Sequence, residues 1–233
     1  MKLLRKIQYN SPVVLDFALL ALAALILGKA TGGWLTAKLF CVYRSPLTDL
    51  LTYPRFFLHV LGHSGWAHYS GNILMILVIG PQLEERYGSR DLLISMAVTA
   101  FVTGLVQWLF FPGTALMGAS GIVFMMILMA SMGGGRSGGI PLTLILVALF
   151  YIGGEVAAAL TAADDISQLS HIIGGICGGV LGFALEKRWC RKKLPPAGMG
   201  AFFILRFRRA RPLALRRPAA FPVPSARGWP GIS

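Results

Sequence analysis

Gly118-Ala119-Ser120-Gly121 sets a hydroxyl between two glycines at the head of an apolar run. A serine so placed can serve as a nucleophile if a base accepts its proton. Glycine tolerates a tight turn and the close approach of another backbone. A helix start also offers unpaired N–H groups that can hold a developing anion. Taken alone, the motif fits a packing notch between membrane helices better, because small residues are common there. Three further residues favour chemistry. His171 lies in an apolar stretch, and ionisable groups inside a membrane are functional candidates. His171, Gly174, Gly178 and Gly182 recur at helical spacing on one face. Such a face can press against a partner backbone, and it brings His171 to Ser120 if the partner is the helix that Ser120 opens. His68 and Asn72, four residues apart, share a face. A neutral imidazole suits the base of an acyl transfer, and a histidine, an asparagine and a backbone N–H suit its oxyanion. Asp164 and Asp165 precede His171 in a turn, but nothing requires their contact with it, which favours a dyad over a triad.

The elements that must position these groups are membrane helices. The 233-residue chain is 55% hydrophobic and 13% charged, with a mean hydropathy of +0.68. Soluble domains carry about 25% charged residues, so the chain reads as a polytopic membrane protein of one domain plus tails. Apolar runs predict six helices, over residues 12–30, 67–83, 92–111, 119–132, 140–162 and 168–186. The basic start before the first run could signal secretion. Gly28-Lys29-Ala30 is no clear small-residue cleavage site, however, and 12–30 is taken as a span. Residues 31–66 form a long, aromatic-rich connection suited to the headgroup level; Lys38, Arg44, Asp49 and Arg55 keep it from spanning. Glu84 to Asp91 reads as a polar link, and the glycine-rich 133–139 as a flexible one. Glu155 lies within the fifth helix, either as an interior hydrogen-bonded carboxyl or as a cavity-lining group. The fourth helix falls short of the ~20 residues a bilayer needs, so Ser120 should begin inside the membrane. The second, fourth and sixth helices run in one direction, which puts their polar starts at one depth.

Charge orients the bundle. The net charge is +13, yet twelve of the 22 basic residues follow Glu186, where no acid occurs. The core is nearly neutral, and its charge gives no case for nucleic acid. Six spans put 18 basic residues on the side of the termini and four on the other, which predicts cytoplasmic termini in a cell membrane. Residues 187–233 hold seven of the thirteen prolines and are expected to be disordered, either lying on anionic lipid or solvated. Cys41, Cys177 and Cys190 show no metal-ligand spacing. His59 and His63 lack a neighbouring carboxylate or cysteine, so no metal is expected.

His63-x4-His68-x3-Asn72, Glu84-x-Arg86, Gly118-Ala-Ser120-Gly121 and His171-x2-Gly174-x3-Gly178 together resemble the rhomboid family of intramembrane serine proteases, over residues 45–186. The resemblance implies an all-α membrane protein, a six-transmembrane-helix bundle with a long interfacial first loop and an outward-opening, water-filled cavity. It casts Ser120 as nucleophile and His171 as general base, with His68, Asn72 and the Ser120 N–H as the oxyanion site. Gly118, Gly121, Phe124, Gly174, Gly178, His63, Arg55, Glu84 and Arg86 become structural or supporting residues. The first loop would lie sideways in the outer leaflet, and the fifth helix would border substrate access. Three positions depart from the family pattern. Pro54-Arg55 stands where Trp-Arg is frequent, leaving Arg55 without its stacking aromatic. Phe124 stands where Tyr is frequent, and Ser170 where Ala is usual. The implied activity is endopeptidase cleavage of transmembrane substrates through an acyl-enzyme, without cofactor, by a domain over residues 12–186 between a cytoplasmic segment (1–11) and the tail. The alternatives are a non-cleaving rhomboid-like binding or quality-control protein and a small-solute transporter. The latter would show an inverted repeat of broken helices, and none is seen.

Overall fold

A computed structural model describes residues 9–132, 142, 145–146, 149 and 165–193. The expected glycine link, nearly all of the expected fifth helix with Glu155, Asp164 and the tail beyond Lys193 lie outside the described residues. Contacts divide the chain into two units, Met1–Lys193 and Leu194–Ser233, and only the first contains described residues.

Helix α1 (Pro12–Ala30) starts on a proline, whose missing N–H costs nothing at that position. No side chain of its own caps it. Instead Glu84, from another helix, accepts the Val13 and Val14 N–H groups at 3.1 and 3.2 Å and the Ser89 hydroxyl at 2.7 Å. A carboxylate at a helix N-terminus also meets the positive end of the dipole. The next segment holds α2 (Trp34–Leu39), strand β1 (Val42–Tyr43), α3 (Thr52–Leu58) and a 3-10 turn (His59–Leu61).

Helix α4 (Trp66–Tyr87) carries the polar groups of its first two turns. It also corrects the expected link over 84–91: α4 continues through Tyr87 and α5 (Ser89–Phe110) begins two residues later, leaving Gly88, at φ +90°, as the whole connection. Two charged residues of α4 find partners on other helices. Glu84 caps α1, and Arg86 forms an ion pair with Glu186 at 2.7 Å while facing the Trp189 ring at 4.5 Å. Strand β2 (Ala115–Leu116) pairs antiparallel with β1, Val42 opposite Leu116. Helix α6 (Ser120–Ser131) and helix α7 (Asp165–Lys193) complete the described elements. α7 runs beyond the expected 168–186 at both ends.

Polarity is partly inverted relative to a soluble protein. Leu19, Leu20, Leu74, Val78, Leu93, Ile176, Val180 and Phe183 face outward, while Arg55, Glu84, Ser95, Thr99 and Thr103 are buried. Pro12–Ala30, Ser89–Phe110 and Leu169–Trp189 are long and apolar enough to cross a membrane. α6 is the centre: nearly every residue from Gly121 to Ser131 is buried. At 1.5 Å per residue its twelve residues reach about 18 Å, well short of the ~30 Å hydrocarbon core.

The glycine face of α7 lies on α6. A Cβ at Gly174 would overlap the Gly121 carbonyl, one at Gly178 the Met125 carbonyl, and one at Gly182 would stand 3.2 Å from Met129 Cα. These are backbone atoms that no rotamer change can move aside. Gly179, next along α7, has nothing near its Cβ position. Gly178→Ala is therefore expected to destabilise the protein by about 1–3 kcal/mol through overpacking. Gly179→Ala should be neutral or stabilise by up to ~1 kcal/mol through helix propensity. Thermal unfolding of the two variants in detergent checks the contrast.

Candidate active site

The glycine contact determines what the two helices share. Phe124 is buried on α6, and its ring stacks on His171 with centroids 4.4 Å apart and planes 6° from parallel. Ser120 lies one turn before Phe124 and so shares its face. A Cβ at Gly121 would touch the Ser170 carbonyl at 3.4 Å, so the start of α6 sits against the turn of α7 that bears His171. The lost tyrosine hydroxyl leaves the ring packing intact.

His68 and Asn72 meet the chain at Gly118. Gly118 has φ +125°, a conformation that L side chains rarely adopt. A Cβ there would stand 2.7 Å from His68 Nε2 and 3.9 Å from Asn72 Nδ2. The glycine is thus required twice, by its dihedral and by the imidazole beside it. Its own N–H donates to the His59 carbonyl at 2.9 Å, which ties the turn before Ser120 to the 3-10 segment. His68 Nδ1 lies 3.2 Å from Ser64 Oγ, and its ring meets that of His63 edge-on at 5.0 Å. Asn72 Nδ2 is buried with no hydrogen-bond partner among the described residues, a donor left available beside Gly118 and His68.

Arg55, Glu84 and Arg86 lie apart from this cluster. Arg55, 1% exposed, organises the first loop: Nε donates to the Lys38 carbonyl at 2.8 Å and Nη1 to Asp49 Oδ2 at 2.9 Å. It does have a stacking aromatic, from a position the local sequence does not indicate. Its guanidinium lies 4.6 Å over the Tyr43 ring, so the tyrosine takes the place of the missing tryptophan. Asp49 accepts the Leu51 N–H and the Arg55 guanidinium, which together hold its carboxyl below the usual carboxylate range. Glu84 and Arg86 are at the far end of α4 from His68 and hold helix ends rather than one another. Residues to which the sequence pattern assigns no role are His59, Ser64, Tyr43 and Glu186. Ser64 stands at i−4 to His68, a spacing that could have marked it. The other three act through tertiary contacts with no local signature.

The outward-facing leucines and the sunken polar cluster define a helical membrane protein with a polar site between its helices. A family model of the Rhomboid domain matches residues 51–188, more than half the chain, and the chain belongs to the rhomboid family. Members are generally intramembrane serine proteases, and the family includes inactive ones. A search of curated proteins finds no match.

Gly118→Ala should cost about 1–3 kcal/mol through its backbone conformation, plus the clash with His68. Adding His68→Ala should recover only the clash. A double-mutant cycle in thermal stability reads the two contributions apart, and strict additivity would contradict the contact.

Proposed function

We propose that the protein is an intramembrane serine endopeptidase that hydrolyses peptide bonds in or beside transmembrane segments of other membrane proteins. The observation that carries this is the meeting of Gly118, His68 and Asn72, with an unpartnered Asn72 donor, at the turn that opens on Ser120, while His171 stacks on Phe124 one turn further on.

In this reading Ser120 Oγ attacks the scissile carbonyl while His171 takes its proton. The negative charge that develops on the carbonyl oxygen meets the Asn72 Nδ2–H, the His68 Nε2 side and the Ser120 N–H. His171 then passes the proton to the leaving amine, which departs and leaves an ester on Ser120. His171 then takes a proton from water, which attacks the ester, and returns that proton to Ser120 Oγ as the carboxylic acid product leaves. Stacking on Phe124 holds the imidazole plane, which limits the rotamers His171 can sample. Substrate helices must unwind locally, because the peptide bond in a helix is shielded by its own hydrogen bonds. Helix-breaking residues near the cleaved bond are expected to help.

The reading includes six spans over residues 12–186, both termini in the cytoplasm, and a basic tail beyond them that meets anionic lipid. The tail's dense positive charge supports contact with an anionic lipid surface.

Reconstituted in liposomes with a model transmembrane substrate, wild type should cleave. Ser120→Ala and His171→Ala should each lower the rate by about 10³-fold or more. Asn72→Ala should lower it by about 10²-fold with little change in substrate binding, since its donor acts on the transition state. Equal behaviour of folded wild type and Ser120→Ala would instead identify a non-cleaving member of the family.

A further inference from the structure

We infer that Cys41, Met117 and His63 form a binding site for a soft monovalent metal cation, Cu(I), on the face of the first loop. The inference is independent of the proposed protease activity.

The β1–β2 ladder creates the sulfur pair. Val42 lies opposite Leu116 and Tyr43 opposite Ala115. Continuing that register by one residue puts Cys41 opposite Met117. Residues opposite one another in an antiparallel pair meet through their side chains, and here the Cys41 thiol donates to the Met117 thioether at 3.7 Å. Two sulfurs each about 2.3 Å from a common centre stand about 3.8 to 4.0 Å apart, for tetrahedral or trigonal angles. The ladder has set a thiol and a thioether at the separation of two ligands on one metal.

His63 lines the same cavity as Cys41 and Met117 and is the third donor of the proposed site. It is 3% exposed. Its Nδ1 pairs with the Leu61 carbonyl at 3.1 Å, so the proton belongs on Nδ1 and Nε2 carries the lone pair. That is how a metal-ligating imidazole is normally oriented, with the other ring N–H on a backbone carbonyl. His63 Nε2 is buried and has no hydrogen-bond partner among the described residues. Buried nitrogens without a partner are rare, and each calls for a reason. Cys41, His63 and Met117 line one cavity of about 490 Å³ between α1, α2 and the turn before Ser120.

The donor set selects the cation. Thiolate and thioether together favour Cu(I) over harder divalent ions, with imidazole as a compatible third ligand. On binding, Cys41 releases its thiol proton to solvent, and two S–Cu bonds and one N–Cu bond form without change of oxidation state. The thiolate neutralises the cation, so Lys29 on the same cavity wall meets no added net charge. Met117 directly precedes Gly118, which makes the occupied site a clamp on the turn leading into Ser120.

The test is an anaerobic titration of the full-length protein in detergent into the coloured Cu(I)–bicinchoninate complex, read by absorbance. Wild type should withdraw one equivalent. Met117→Leu, close to isosteric and with every cysteine kept, should weaken binding by about tenfold or more. Cys41→Ser should do the same, and Cys177→Ala should match wild type. No withdrawal by wild type, or withdrawal by Met117→Leu equal to wild type, overturns the site and assigns any uptake to the other thiols. X-ray absorption on copper-loaded wild type needs no variant. Two sulfurs near ~2.3 Å with one nitrogen support the site, and a shell lacking the sulfur pair contradicts it.

Discussion

The contact between α6 and the glycine face of α7 governs the rest of the structure. At Gly174 and Gly178 the two backbones approach closely enough that a single methyl would overlap a carbonyl of α6. Inside a membrane no hydrophobic force drives helices together, and close van der Waals packing must take its place. The same approach has a geometric result. Two helices pressed this tightly have little freedom to slide, so the Phe124–His171 stack and the start of α6 keep a fixed relation. A site whose groups must hold within fractions of an ångström needs such a support.

The remaining framework secures the ends of helices and the turn before Ser120. Glu84 closes the N-terminus of α1, Arg86 and Glu186 join α4 to α7, and the Arg55 guanidinium gathers Lys38, Tyr43 and Asp49 in the first loop. Arg55 and Glu84 are charges withdrawn from water, which is tolerable only with partners in place. The first loop in turn supplies the His59 carbonyl that holds Gly118. A chain of buried polar contacts therefore runs from Arg55, through the His59 Nδ1 contact to its carbonyl, to the turn that opens on Ser120.

Much of this was legible in the residue pattern, for definite reasons. The 174–178–182 glycine spacing marks a helix face built for close approach, and α6 proved to be what it faces. The first helix stands where its apolar run and Pro12 put it. Short α6 follows from an apolar run too brief to span. The interval 84–91 was misread as a link because its charges look solvated when their partners are hidden. Those partners, the α1 N-terminus and Glu186, lie 70 and 100 residues away in sequence. Tyr43 beneath Arg55, His59 beneath Gly118, and the pairing of Cys41 with Met117 were hidden for the same reason: tertiary contacts leave no local period. A two-residue strand is also too short to announce itself by alternation.

The central claim is that close helix packing makes Ser120 a nucleophile through His171. A fluorophosphonate that reacts only with an activated serine tests it without any knowledge of substrate. Peptide mass spectrometry on the labelled full-length protein should find the adduct on Ser120, and His171→Ala, still folded, should lose it. Absence of the adduct from folded wild type, or its persistence undiminished without His171, would contradict the account.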